Sequence, residues 1–443
     1  MRYIYIIVLI LISQTGKAQE KEWTLEECMQ YAVENSLEKR KQEAQNTIYH
    51  QNYLEAIGRL LPSINANTNA NFNFGRGLDS ETNTYTDVNS FSNNYNLYSS
   101  LILFDGLTSI TRVRLQRVNK LMGRQQLEAV KDLIAYETME CFFNVLYSTE
   151  LVRLAEAQLE ESTETLKQIT RMAELGVKSY PDVAEISAQE AENNYNLTRQ
   201  KNILAIAVIK LKEKMNFPIE DVLHVSDSAT TPLIVKSQDT AISIFEQSRL
   251  FIPKAVAAES KLKSQKLAYK SAKGVLFPTL SVDGGYNTNF SRYMDGSNYS
   301  SFNEQFRNKV GRYVGFTLSI PIFNGFSRSA QVRRGKAEVV MAQAERDKTL
   351  RTLHSEIEQA VADMNGEADQ YYQAKKQVDA MDIAHQVNQR KYIEGLINAL
   401  DLHITANRLL QARAEELNSK LRFQLKHKLV EYYKGEPFII INE

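Results

Sequence analysis

The sequence predicts a mostly α chain with membrane β: a duplicated helix–β-hairpin–helix plan in which long coiled-coil helices accompany four strands. Three observations predict it. The chain repeats itself at a spacing of 219 residues, its helical stretches are unusually long, and its strands alternate with a period of two. That last period puts alternate side chains on opposite faces of a strand.

The N-terminus, "MRYIYIIVLILISQTGKAQE", has Arg2, an apolar run from Tyr3 to Ile12, then small and polar residues to Ala18. A run of about ten residues suits a signal peptide and falls short of a membrane helix. Cleavage after Ala18 is expected, the alternative being an uncleaved anchor. No cysteine sits at that point, so no lipid anchor is read. Of 443 residues, 53 are basic and 53 acidic, and removal of Arg2 and Lys17 leaves 51 against 53. The whole-chain balance gives no electrostatic case for nucleic acid or for an anionic membrane surface. Mean hydropathy of −0.38, with no long apolar run, excludes a helical membrane protein.

The first half runs from a helical stretch, about Leu25 to Leu61, into "LLPSINANTNANFNFG". The second runs from another, about Ala241 to Leu276, into "LFPTLSVDGGYNTNF". Pro62 and Pro278 each close a helix and open a strand. Second strands follow, Phe91 to Gly106 and Val310 to Gly325, each ending in aromatic–polar–Gly: Phe104-Asp105-Gly106 and Phe323-Asn324-Gly325. The loops inside each pair are polar and suit water. A helix from Leu107 to Leu175, on the order of 100 Å long, carries a heptad seam at Val152, Leu159, Leu166 and Ala173. It ends in "AELGVKSYPDV", which aligns with "YIEGLINALDL". Gly176 and Gly395 are 219 apart, as are Asp182 and Asp401. Gly supplies left-handed dihedrals to a tight turn, and Asp an oxygen for the next helix start. Shorter helices return, about Asp182 to Asn216 and Asp401 to Tyr433. Residues 217–239 read as an irregular linker and the C-terminal residues as a second irregular element.

In "SINANTNANFNFG", Asn65, Asn67, Asn69, Asn71 and Asn73 alternate with Ile64, Ala66, Thr68, Ala70 and Phe72. Four strands of spanning length per chain cannot close a sheet, and hydrocarbon does not tolerate open edges. Two copies would give a filled eight-stranded barrel, three a twelve-stranded one with a lumen. The neutral amides would then face the lumen and the apolar residues lipid or a neighbouring strand. The alternative is a periplasmic structural or adaptor coiled coil without membrane strands.

Six histidines show no ligand spacing, so no metal and no cofactor are expected. No phosphate loop or nucleophile elbow marks an enzyme. Cys28 and Cys141 sit at comparable distances along their helices from the first strand pair. They read either as a disulfide or as two separate buried thiols.

The duplicated helix–Pro–strand–loop–strand–Phe-x-Gly–helix plan and the paired turns "ELGVKSYPDV" and "EGLINALDL" resemble the TolC-type outer-membrane efflux proteins over nearly the whole mature chain. The resemblance implies a homotrimer in the bacterial outer membrane that extends into the periplasm. Its parts would be a shared 12-stranded β-barrel and an α-barrel of coiled-coil helices. It implies a passive exit duct of a tripartite efflux or secretion system, with no enzymatic activity, working with a periplasmic adaptor protein and an inner-membrane pump. Carried onto this sequence, the adaptor-docking tips are Gly176, Val177, Asp182, Val183, Gly395, Leu396, Asp401 and Leu402. Tyr392, Asp401 and Asp182 belong to the periplasmic aperture. Ile397 and Ile404 depart from the family, which carries an Arg and a second acid there, so closure would rest on packing more than on ion pairs. Asp182 and Asp401 are open to a second reading as helix caps.

The expected division is a signal peptide over 1–18, a helical start over 19–61 and strands 1 and 2 over 62–106. Helical hairpin one covers 107–216 and the linker 217–239. A helix follows over 240–277, then strands 3 and 4 over 278–325, hairpin two over 326–433 and a C-terminal segment over 434–443.

Overall fold

The computed structural model describes residues 21–78, 83–87, 89–226, 233–294 and 300–439. The signal-peptide segment lies outside them. The chain forms two compact units, one of Ala44–Arg124 and Ala257–Lys348, the other built from the remaining segments. The fold class is the expected one, mostly helical with a small β part.

In the first unit, four strands make one antiparallel sheet in the order β2 (Ser63–Asn73), β5 (Ser90–Phe104), β7 (Thr279–Tyr293) and β8 (Gly311–Ser319). The two halves of the repeat therefore join edge to edge through β5 and β7. Strand β8 stops at Ser319 rather than reaching Gly325, because Pro321 has no N–H for a ladder. The loop after β2 carries a short hairpin, β3 (Arg76–Leu78) with β4 (Tyr85–Asp87).

The loop before β8 is less purely polar than expected. Its helix, Phe302–Asn308, uses the buried Gln305 amide to cover the β7 edge where β8 has ended. Gln305 accepts from the Ser291 N–H (3.2 Å) and donates to the Ser291 carbonyl (3.0 Å). Phe302 and Phe306 pack against Tyr95, at ring distances of 6.2 and 5.3 Å.

Both strand pairs hand over to a helix through the same backbone geometry. Gly106 and Leu107 have φ of +67° and +63°, and Gly325 and Phe326 have +62° and +64°. The polar residue of each motif then caps the helix. Asp105 accepts from the Ser109 N–H at 2.8 Å, and Asn324 lies 3.5 Å from the Arg328 N–H.

The helical stretches before the sheet are both interrupted. The first splits into α1 (Leu25–Asn35) and α2 (Leu37–Gly58) at Ser36, whose hydroxyl accepts from Lys39 N–H and starts a new helix. The other splits into α5 (Ala241–Ser248) and α6 (Pro253–Gly274), the second opening on proline. Between them in sequence lie α3 (Thr108–Glu174) and α4 (Tyr180–Met215); α8 (Ser327–Ile393) and α9 (Ala399–Lys434) close the chain, the short loop helix being α7.

The second unit packs α1, α4, α5, α9 and the parts of α3 and α8 remote from the sheet around two main cores. In one, Cys28, Phe142, Leu211 and Met215 are fully enclosed. Cys28 and Cys141 both contribute to it as free thiols, and burial pushes Cys28 up to about 12. The linker is not wholly irregular, since β6 (His224–Val225) pairs in parallel with β1 (Glu22–Trp23). Trp23 meets Tyr31 and Phe217 edge-on at 5.3 and 5.6 Å. The other core, with Leu353, Ile357, Phe423 and Val430, adjoins the C-terminal segment, where Phe438 stacks on Tyr432 at 4.3 Å. The α3–α4 seam buries Val152, Ala155 and Leu197, with Leu159 packed alongside, so the heptad reading holds there.

Asp132 accepts a 2.8 Å hydrogen bond from the Tyr432 hydroxyl in a half-buried site. Burial, outweighing that bond, pushes its carboxyl up to about 6 from 3.8. The folded chain thus holds a proton between about 4 and 6 that the unfolded chain has released. Stability contributed by this group falls as pH rises through that window. Asp132→Asn, which keeps an acceptor for Tyr432, is expected to raise stability by about 2 kcal/mol at pH 8, with the gain vanishing below pH ~4. Denaturant titrations at the two pH values check this.

Candidate functional site

Two helix turns and one sheet face hold the candidate residues. At the first turn α3 ends on Gly176 (φ +73°), with Val177 N–H donating to Met172 carbonyl at 2.9 Å. At the second, α8 ends on Gly395 (φ +74°), with Leu396 N–H donating to Lys391 carbonyl at 2.8 Å. Both are Schellman ends, in which left-handed glycine lets the following N–H close on an orphan carbonyl.

The next helix starts differently at each turn. Ser179 caps α4, and Asp182 accepts from its N–H (2.9 Å) and hydroxyl (2.8 Å). Those bonds, the backbone one first and Lys178 adding to them, hold the Asp182 carboxyl below its usual range. At α9 the cap is Asn398, whose side chain accepts from the Asp401 N–H at 2.8 Å. Asp401 itself supplies only backbone to this cap and leaves its carboxylate exposed. The two aspartates, matched in sequence, thus have different local duties.

The turns share one apolar cluster. Ile169, Ile186, Tyr392, Ala399 and Leu402 are buried in it, and Val183 and Ile397 pack against it. Tyr392 is 3 % exposed, lies under Lys178 Nζ at 4.8 Å, and its hydroxyl has no hydrogen-bond partner among the described residues. Burial, with Asp182 and Glu185 adding repulsion, pushes this phenol up to about 12, so it stays neutral. Of the residues assigned to the tips, Val183 and Leu402 face inward while Val177 and Leu396 stay exposed. Cross-hairpin polar contacts flank the cluster. His385 meets Glu161 at 2.9 Å, and Gln158 donates to Asn407 at 2.9 Å. Sequence reading missed these because each joins residues more than 200 positions apart, on different hairpins.

On the sheet, cross-strand partners share a face. Asn67, Asn96 and Asn287 line up across three strands, as do Asn69, Asn94 and Asn289. Asn96 donates to Asn67 at 3.0 Å. Asn65, Asn71 and Asn73 lie on this same face, opposite Tyr98, Ser92 and Ser90. It continues through Asp283 on β7 and through Gly311, Tyr313, Gly315 and Thr317 on β8. The opposite face carries Phe72 with Phe91, then Ala66, Leu97 and Tyr286, then Leu101, Val282 and Phe316. Arg312, on that apolar register, lies over the Tyr286 ring at 5.7 Å. The outer edges of β2 and β8 have no strand partner among the described residues.

The family model for outer membrane efflux proteins matches residues 253–427. The outer membrane protein TolC of Escherichia coli strain K12 is 23% identical, covering 94% of this chain and 85% of that protein. Residues 253–427 thus carry the outer-membrane efflux domain, and the chain over nearly its whole length is TolC-like. Solved structures of this fold agree. CusC superposes with a TM-score of 0.79 at 16% identity over 95% of each chain. The Campylobacter jejuni outer membrane channel CmeC gives 0.79 at 15% identity, over 94% of this chain and 87% of that one. This efflux protein is accordingly an outer-membrane channel reaching into the periplasm, not an enzyme and not a coiled coil without membrane strands. Channels of this family are trimers that work with adaptor proteins and inner-membrane pumps.

Proposed function

We propose that three copies of this chain close a twelve-stranded barrel and form the passive exit duct of a tripartite exporter. The observation that carries the reading is a four-stranded sheet with two free edges and two faces of opposite polarity. Strands β2 and β8 run in opposite senses, so β8 of one copy meets β2 of the next as an antiparallel pair, and three such seams leave no edge in hydrocarbon. The Asn65 to Asn73 ladder then lines and hydrates the lumen, with Asp283 the carboxylate on the same face.

The helix turns serve as docking tips for a periplasmic adaptor that links the duct to an inner-membrane pump. Val177 and Leu396 offer the exposed apolar contacts, Gly176 and Gly395 set the turn shape, and Val183 and Leu402 hold the turns together from within. Asp182 and Tyr392 keep the aperture packed. Asp401, free of capping by its carboxylate, forms a three-fold acidic ring that focuses cations.

Purified protein is expected to run as a detergent-extracted trimer and to conduct in planar bilayers. A water-soluble monomer would sink the reading. For the ring, Asp401→Asn is expected to weaken divalent-cation block of single-channel conductance by about tenfold or more, because three carboxylates act together. Unchanged block would leave Asp401 without a gating role.

A further inference from the structure

The chain as a whole is electrically balanced, yet three of the four helical segments that adjoin the sheet are not. Residues 106–127, which follow β5, carry five cations, Arg112, Arg114, Arg117, Lys120 and Arg124, and no carboxylate. Residues 260–278, which lead into β7, carry five lysines and no carboxylate. Residues 325–337, which follow β8, carry Arg328, Arg333, Arg334 and Lys336, again with no carboxylate. Most of these side chains are exposed, and among the described residues none of them has an ion-pair partner. A sum over the whole chain hides this segregation, since the compensating acids lie elsewhere.

The cations stand next to an apolar collar. At the strand–helix junctions of the same unit, Leu61, Leu107, Phe277, Ile322, Phe323 and Phe326 are all exposed. One cleft of about 240 Å³ is lined by Leu276, Ile322, Phe323 and Phe326, with Arg328 in its wall. Another, of about 300 Å³, opens between α2 and α3, where Glu55 neutralises Arg59 at 2.8 Å and Arg112 is, among the described residues, the unpaired cation. Exposed apolar side chains with arginine and lysine one to three turns further along a helix form an interfacial anchor: the first enter hydrocarbon, the second reach headgroup phosphates.

We infer that this collar binds anionic phospholipid headgroups in the leaflet facing the helices, so that the channel gathers such lipids around its helix-side rim. The inference rests on the outer-membrane channel reading above. Charge complementarity selects the occupant. A neutral zwitterionic headgroup gains nothing from an uncompensated cationic belt, whereas an anionic one gains about fivefold in occupancy per engaged cation. Attraction of this kind fades beyond a Debye length and weakens with salt.

The test uses the full chain reconstituted in vesicles of equimolar phosphatidylcholine and phosphatidylglycerol, then cut out with its surrounding lipid in polymer nanodiscs. Co-extracted phosphatidylglycerol is expected to be enriched several-fold over the bulk ratio at low salt and to fall toward bulk at high salt. A variant combining Arg114→Gln, Arg117→Gln, Lys270→Gln, Lys273→Gln, Arg333→Gln and Arg334→Gln should return the ratio to bulk while still forming conducting trimers. Should that variant fold poorly, single substitutions in wild-type background, each expected to remove part of the enrichment, keep the test decisive. Conducting wild-type trimers with a bulk lipid ratio would overturn the inference and leave the channel reading standing. So would a bulk ratio together with a variant-induced shift of reversal potential in pure phosphatidylcholine, which would place the cations in the pore. Wild-type protein that never forms a conducting trimer would remove both.

Discussion

Proline at the free edge of β2 is expected to abolish the trimer while leaving the single chain folded. In a strand, the backbone N–H groups of successive residues point to opposite edges, and proline removes the donor at its own position. Asn69 pairs with Asn94 and Ala70 with Asn93, so of Asn69→Pro and Ala70→Pro one breaks the ladder to β5 and the other faces outward. The outward one loses a bond that only a neighbouring copy would supply. It should give monomers with unchanged helical circular dichroism, no detergent-stable trimer and no conductance. The inward one should disturb the sheet of the single chain as well. Stable, conducting trimers from both variants would mean that β2 makes no inter-subunit seam.

The second large effect separates two glycines that the repeat makes look equivalent. Gly106 and Gly325 close the same aromatic–polar–Gly motif with nearly the same dihedrals. A Cβ on Gly106 would lie 2.2 Å from the carbonyl oxygen of Gly274 and 2.8 Å from Phe277 Cβ, whereas one on Gly325 meets nothing within 4 Å. Gly325→Ala should cost only the left-handed conformation, about 1–2 kcal/mol. Gly106→Ala adds the displacement of a backbone carbonyl, and a loss of about 3–5 kcal/mol is expected. Comparison of the two alanine variants in one denaturation series checks this. Equal losses would show that the α3–α6 approach at Gly274 is easily relaxed.

The same pair shows how far the sequence reaches. The duplicated plan, the two Schellman turns and the two-faced strands were legible because each depends on the residue itself. Glycine at φ near +70° and asparagine every second position do not need a distant partner to declare themselves. Even the departures were local at root: Pro321 ends β8, and Ser36 starts a new helix by its own hydroxyl.

What lies between the elements was not legible. Equal spacing suggested equal roles for Asp182 and Asp401, yet Ser179 recruits Asp182 into a cap while Asn398 relieves Asp401 of that duty. Buried Tyr392 and the His385–Glu161 contact depend on helices far apart in the chain, and the Gln305 amide that covers the β7 edge depends on how its loop folds back. By itself the sequence determined the repeat, the element types, the turn glycines and the polarity of each strand face. The tertiary structure alone decided the order β2-β5-β7-β8, which glycine is crowded, and which tip residues face inward. The reason is physical: a dihedral or a side-chain period is set within a few residues. Crowding, burial and shared clefts exist only once remote segments are brought together.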